Sequence, residues 1–441
     1  MAASSKILYG KQTALAVQNF PISGERMPEE LLHALALIKE KAALVNGELG
    51  LISLAHAHAI AKAARQILNG AHGDQFPVDV FQTGSGTSTN MNMNEVLAVL
   101  ASTPKRHVHP NDHVNRCQSS NDVVPSAVQL ACALGVRDAL IPSLLSLEKE
   151  LRQKARVFRG IVKTARTHLM DAVPVRLGDE FASYASLIAN ARDALKEARR
   201  ALSILPLGGT AAGTGLNAHP AFAPRTITLL RKETGLSLKG ARDHVAAQSC
   251  PLAFLSCSAA LRQVAAALTK MAGDIRLMGS GPVCGLGELQ LPPLQAGSSI
   301  MPGKVNPVLC ESVLQVAMEV TGADATVHAA LVIGSQFELN TAMPVAARAL
   351  LRSIRLLANV SRVFATQCVR GITADAALLR ERSLRNPMLV TALAPRIGYD
   401  RAAAIAKEAL ETGESLLDVA LRKTTIPEGE LRRILAPERM L

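Results

Sequence analysis

Tryptophan is absent from this 441-residue chain, tyrosine occurs three times, and aromatic residues make up only 3% of it. Strands draw on aromatic and β-branched residues, so this scarcity disfavours a sheet-dominated fold, while abundant Ala and Leu favour helices. No CxxC pair occurs among the seven cysteines. Their odd number and wide spacing speak against a disulfide framework and predict reduced thiols in a cytoplasmic setting. The first residues, MAASSKILYG, hold no apolar core of a leader peptide, so no targeting segment is expected. No uninterrupted apolar run reaches membrane-spanning length, so no membrane partner is expected either. Charged residues are 19% and hydrophobic residues 49%, a globular rather than a disordered balance.

Acids are the scarcer charge, 36 against 48 Lys and Arg, leaving a net +12. A basic excess can bind nucleic acid, but no aromatic-interleaved basic stripe or zinc-finger spacing accompanies it. Basic residues alternate with acids instead, as in Glu148-Lys149-Glu150 and Arg380-Glu381-Arg382. The pattern predicts a solvated surface with no nucleic-acid partner, whose positive field would draw in a small dianion.

The length allows two or three domains. Residues 1–118 mix helical patterns with Gly-, Pro- and Asn-rich loops, and Pro28-Glu29-Glu30 reads as a helix start. Residues 119–373 change to long helices. Leu140, Leu144, Leu147 and Leu151 recur at helical spacing, as do Leu261, Val264, Leu268, Met271, Ile275 and Met278. Val313, Val316, Val320, Val327 and Leu331 follow more loosely. Such stripes pack side by side as a bundle. Residues 374–441 carry shorter helical patterns, such as Asp400 to Thr412, and read as a small helical cap. The expectation is a mainly α fold of three domains with a central bundle of long helices.

The run GSSIMPGKVNP, Gly297 to Pro307, gathers Ser298, Ser299, Lys304 and Asn306. Pro302 and Pro307 make a regular element improbable, and Gly303 opens backbone conformations closed to other residues. The run reads as a loop carrying a hydroxyl, a cation and a carboxamide. Residue types alone leave a linker and an active-site lid both open. This run resembles the signature of the fumarase/aspartase superfamily. Three further stretches match in the same order: Thr83 to Val96 (TGSGTSTNMNMNEV), His109 to Asp122 (HPNDHVNRCQSSND) and Ala165 to Pro174 (ARTHLMDAVP). The similarity runs from about Tyr9 to the C-terminus. Leu207 to Pro220 and Phe76 to Ala98 make it most similar to the class II fumarases.

The resemblance implies reversible hydration of fumarate to (S)-malate in the tricarboxylic acid cycle, without cofactor or metal. It also implies a homotetramer whose core is packed helix bundles, with each active site shared among three subunits. His168 is then the group that activates water, with Glu311 as its carboxylate partner, a role suited to imidazole. Ser298 is the carbon base. A serine oxyanion needs support, which backbone N–H groups of its loop can supply. Substrate-binding groups carried over are Ser85, Thr87, Ser119, Ser120, Asn121, Thr167, Lys304 and Asn306. Glycines flank Ser85, and Ser119-Ser120-Asn121 also reads as a helix N-cap, an end that favours anions. Arg106, His109, Asn111 and Asp112 match a second, peripheral anion site. Thr83, Asn90 and Asn92 read as structural. His107, His109 and His113 lack zinc-ligand spacing, so no metal is expected. His56 and His58 face different sides of a helix.

The chain departs from the family pattern in three places. Met170 replaces a polar residue after His168-Leu169. The link from Ala98 to His109 is short. Ala241-Arg242-Asp243-His244 stands where fumarases carry another stretch. These changes leave aspartate ammonia-lyase, or another lyase releasing fumarate from a succinyl adduct, as the alternative. A non-catalytic scaffold would be expected to lack Ser298, His168 or Lys304, and all three are present.

Overall fold

A computed structural model describes residues 7–441. It is mainly α. In chain order the helices are α1 Lys11–Asn19, α2 Glu29–Glu48, α3 Leu54–Leu68, α4 Thr87–Ala101, α5 Ser120–Gly135 and α6 Ile141–Val157. A hairpin follows, strand β1 Val162–Thr167 and strand β2 Met170–Arg176. Then come α7 Leu177–Leu202, α8 Phe222–Thr234, α9 His244–Ser249, α10 Leu252–Met278, α11 Val308–Gly334 and α12 Met343–Val363. Shorter helices close the chain: α13 Ala376–Leu384, α14 Ala394–Ile397, α15 Tyr399–Thr412, α16 Leu416–Lys423 and α17 Glu428–Ile434. Described strands form only two-stranded ladders.

Local chemistry sets the helix starts. Pro28 precedes α2, and Glu29 and Glu30 occupy its first turn, where the helix dipole favours acids. Ser53 caps α3 by accepting the His56 N–H at 3.2 Å. A reciprocal capping box of Ser119 and Asp122 starts α5. The apolar stripes lie where their spacing predicts. Leu144, Leu147 and Leu151 are buried on α6, and Leu261, Val264, Leu268, Met271, Ile275 and Met278 on α10.

The chain divides into two compact units. One comprises Met1–Ser143, Ala191–Ala266 and Gln315–Asn359. Its centre is α2, buried nearly all round and packed on α3, α5 and α8. The other comprises Leu144–Asn190, Ala267–Leu314 and Val360–Leu441. There the β1–β2 hairpin packs on α13, and Leu389, Leu393, Ile405, Val419 and Leu431 form a C-terminal core.

By length and composition alone, three described helical segments could cross a membrane: Ser120–Val157, Leu252–Met278 and Val308–Gly334. Charges such as Arg262 and Lys270 interrupt the apolar runs in these segments without lowering their average much.

Candidate active site

Within the first unit the candidate hydroxyls converge. Ser85 Oγ lies 2.7 Å from Thr87 Oγ1, which lies 2.6 Å from Ser120 Oγ. Thr87 opens α4 and Ser120 opens α5, so two helix N-termini bring their N–H ends to one place. The approach needs glycine. A Cβ on Gly84 would lie 1.8 Å from the Thr341 carbonyl oxygen, and Gly86 has φ +77°. Gly84 in turn accepts the Met343 N–H at 2.9 Å.

Asn121 turns its side-chain amide onto the Ala211 carbonyl at 2.8 Å. Ser119 serves the cap, accepting the Asn121 N–H at 3.2 Å. Asp122 organises this corner. It is fully buried and accepts backbone N–H groups from Ser119 at 2.9 Å, Gly208 at 2.9 Å and Thr210 at 3.1 Å. Burial pushes its carboxyl upward, against those three donors and the charge of Lys39. The Leu207–Pro220 stretch is thereby fastened to α5. His244, in one of the divergent segments, adds a ring nitrogen 2.8 Å from the Pro206 carbonyl.

The second anion-site residues form a compact turn in the same unit. His109 Nδ1 accepts N–H groups of Asn111 at 3.3 Å and Asp112 at 3.1 Å. Arg106 spends two donors on the Ala101 carbonyl, at 3.1 and 2.9 Å. His113 Nδ1 accepts the His109 N–H at 2.8 Å, and its ring stacks on His56 with centroids 4.3 Å apart.

The second unit holds the other candidates. Thr167 ends β1 and pairs with Met170, leaving His168 and Leu169 as the two turn residues. Their φ values are +55° and +62°. A two-residue turn with both φ positive matches the twist of a hairpin but normally uses Asn and Gly. His and Leu in that conformation store strain, a feature that clusters at functional sites. Both side chains are exposed, as is Met170. The hairpin is braced from beneath. Lys163 bonds Glu288 at 2.8 Å and Glu180 at 3.0 Å, and Arg166 bonds the other Glu288 oxygen. Burial opposes ionisation of Glu288, but the Arg166 and Lys163 charges win and hold it below the usual carboxylate range. Asn386 donates to the Ala172 carbonyl at 2.6 Å and to Thr164 Oγ1 at 3.3 Å.

Residues 297–307 form a loop closed on itself. Gly297 N–H donates to the Lys304 carbonyl at 2.8 Å, and Asn306 Nδ2 donates to the Gly297 carbonyl at 2.8 Å. A Cβ on Gly297 would lie 2.4 Å from that Lys304 oxygen. Ser298 Oγ accepts two backbone N–H groups, from Ile300 at 3.2 Å and Met301 at 3.1 Å. Lys304 is exposed. Glu311 sits in the first turn of α11. Among the described residues no hydrogen bond or ion pair joins His168 to Glu311 or to Ser298.

Helix N-termini that gather hydroxyls suit an anion, and a self-closed loop whose N–H groups face Ser298 suits proton transfer. The chain matches the family described as lyase over residues 2–322 and the one described as fumarase C C-terminus over residues 389–441. It is 47% identical to the class II fumarate hydratase of Methylorubrum extorquens, over 98% of this chain and 93% of that protein. Identity to the class II fumarate hydratase of Mycobacterium tuberculosis is 48%, over 96% of this chain and 89% of that one. The recombinant class II fumarase of Schistosoma mansoni has a similar structure. Its TM-score is 0.96 at 38% identity, over 99% of this chain and 96% of that one. The chain belongs to the class II fumarase family.

Proposed function

We propose that the chain catalyses the reversible hydration of fumarate to (S)-malate. Relatives matched over nearly their whole length bear the name of that hydratase, and the ammonia-lyase alternative is not favoured. In the dehydration direction ionised Ser298 takes the C3 proton of malate, and the electron pair moves into the adjoining carboxylate as an aci-carboxylate. Collapse of that dianion expels the C2 hydroxyl, which leaves as water with a proton from His168. Hydration reverses each step. One observation carries this mechanism: the Ile300 and Met301 N–H groups both point at Ser298 Oγ. Fixed N–H dipoles stabilise a developing oxyanion, which is what turns a hydroxyl into a base.

Lys304 offsets the charge of the aci-carboxylate, and Asn306 donates hydrogen bonds to it. Ser85, Thr87, Ser119, Ser120, Asn121 and Thr167 hold the substrate's carboxylates. Arg106, His109, Asn111 and Asp112 form a second anion site. Glu311 orients His168 and supports its charged form. Because these two are not bonded within one chain, we assign their pairing to a homotetramer in which three subunits build each site. The exposed apolar side chains of α11, Met318, Val332 and Ile333, support a helix face awaiting such a partner. The division 1–118, 119–373 and 374–441 is our proposal for the domains of each subunit. We place the enzyme in the cytoplasm, acting on a soluble dicarboxylate.

The test is to incubate the purified protein with fumarate, with and without ammonium, and to identify products by proton NMR. Malate without ammonium, and no aspartate with it, is the expected result. Aspartate formed only with ammonium would refute the hydratase. Dissociated subunits that keep full turnover would refute the shared site.

A further inference from the structure

Lys39 is 0% exposed, in the middle of α2. Burying an amine among apolar groups is unfavourable, and a Met of similar length would fill the same space without that penalty. What the amine does there is visible in its partner. Lys39 Nζ donates to Asn115 Oδ1 at 2.8 Å. The same oxygen accepts the side-chain amides of Asn90 and Asn94, on α4, at 3.2 Å each. Asn115 Nδ2 donates to the Gln118 carbonyl at 3.1 Å, one residue before Ser119. Asn115 is thus a junction between α2, α4 and the segment that enters α5.

The junction is bought with unmet acceptors: Asn90 Oδ1, Asn94 Oδ1 and Gln118 Oε1 are buried without a partner. Both asparagines turn their amide nitrogens toward the oxygen that Lys39 also faces, and leave their own oxygens unbonded. Buried groups left this way are destabilising, so the convergence on Asn115 must be the arrangement that the surrounding fold enforces. Its mechanical result lies at the same N-terminal ends of the two helices, one turn from Asn90 and two residues beyond Gln118. Thr87 starts α4, Ser120 starts α5, and their hydroxyls meet at 2.6 Å.

We propose that Lys39 is a positioning residue for substrate binding: through Asn115 it ties the entry of α5 to α4 and so holds Ser120 against Thr87. The proposal rests on the reading of those hydroxyls as carboxylate-binding groups. Burial lowers the Lys39 amine to about 7, with Asp122 opposing the shift. Ammonium and amine both carry N–H donors, so the link to Asn115 survives in either form.

The experiment compares the full chain with Lys39→Met and Lys39→Gln, by fumarate kinetics and by amide hydrogen exchange without substrate. Losing a hydrogen bond of this kind should raise KM about tenfold with kcat within about threefold, and speed exchange at Ser119–Asp122 about tenfold. Lys39→Gln, which keeps an N–H donor, should recover most of both effects. Unchanged exchange in Lys39→Met, or a fall in kcat at constant KM, overturns the proposal. So does a Lys39→Gln protein no better than Lys39→Met. If Lys39→Met does not fold, Asn115→Ala cuts the same link and must show the same split between KM and kcat; a normal KM there overturns it too. A wild type that does not hydrate fumarate refutes the hydratase reading alone, because the exchange arm reads the Lys39 link without substrate.

Discussion

Asp122→Asn is a one-atom change whose outcome follows from counting donors. Asp122 receives three backbone N–H groups, one on Oδ1 and two on Oδ2. All three partners are donors, so an ionised carboxylate fits and a protonated one would have no acceptor for its O–H among them. Asparagine has one oxygen. Its better rotamer places that oxygen toward Gly208 and Thr210, leaving the Ser119 N–H facing an amide N–H. Stranding a buried donor costs about 1–3 kcal/mol, and two charge-assisted bonds become neutral ones at about 0.5–1 kcal/mol each. The sum is about 3 kcal/mol, or about a hundredfold in a local opening equilibrium. Amide exchange of Ser119, Gly208 and Thr210 should therefore accelerate by about two decades, while amides in the C-terminal core stay unchanged. Acceleration of less than threefold would refute the reasoning. It would mean that burial, which pushes this carboxyl upward, keeps it protonated in the fold.

Other perturbations read other parts of the site. Gly84→Ala drives a Cβ to 1.8 Å from a backbone oxygen, so it should lower the thermal midpoint by many degrees. Gly73→Ala, with nothing within 4 Å, should leave that midpoint unchanged. Asn386→Ala removes two donations to the β1–β2 hairpin and should lower kcat about tenfold, because that hairpin presents His168. The His113 imidazole is held below its ordinary value by burial first and then by neighbouring His56, His109 and His107, with Asp112 opposing. The unfolded chain therefore binds more protons below about pH 6.5. Stability of the 106–114 turn should be complete above that pH and be lost as pH falls through the lower folded value. An NMR titration placing His113 at or above the ordinary imidazole value would contradict this.

What the sequence made legible was local, and what it hid was long-range. The stripes on α6 and α10 could be read because a buried helix face repeats every three to four residues whatever it packs against. The Ser298 loop could be read because Pro302, Gly303 and Pro307 forbid regular structure on their own. The Ser119-x-x-Asp122 cap was half legible: the pattern announces a helix start, but nothing nearby announces that Asp122 also receives Gly208 and Thr210 from about ninety residues away. The hairpin presenting His168 carries no Asn-Gly signal, since His168 and Leu169 are poor residues for positive φ. It is held by Glu288 and Asn386, more than a hundred residues downstream. Lys39 is the extreme case. In the string Lys39-Glu40-Lys41 it looks like solvated surface, and only the packing of α3, α5 and α8 around α2 makes it a core residue. Charged groups with no surface role and no local reason to be buried are therefore where reading forward from sequence is weakest. In this chain Lys39, bonded to Asn115, is such a group, and Asp122 adds to its local cap two distant donors; both sit beside the entry to α5 that carries Ser120.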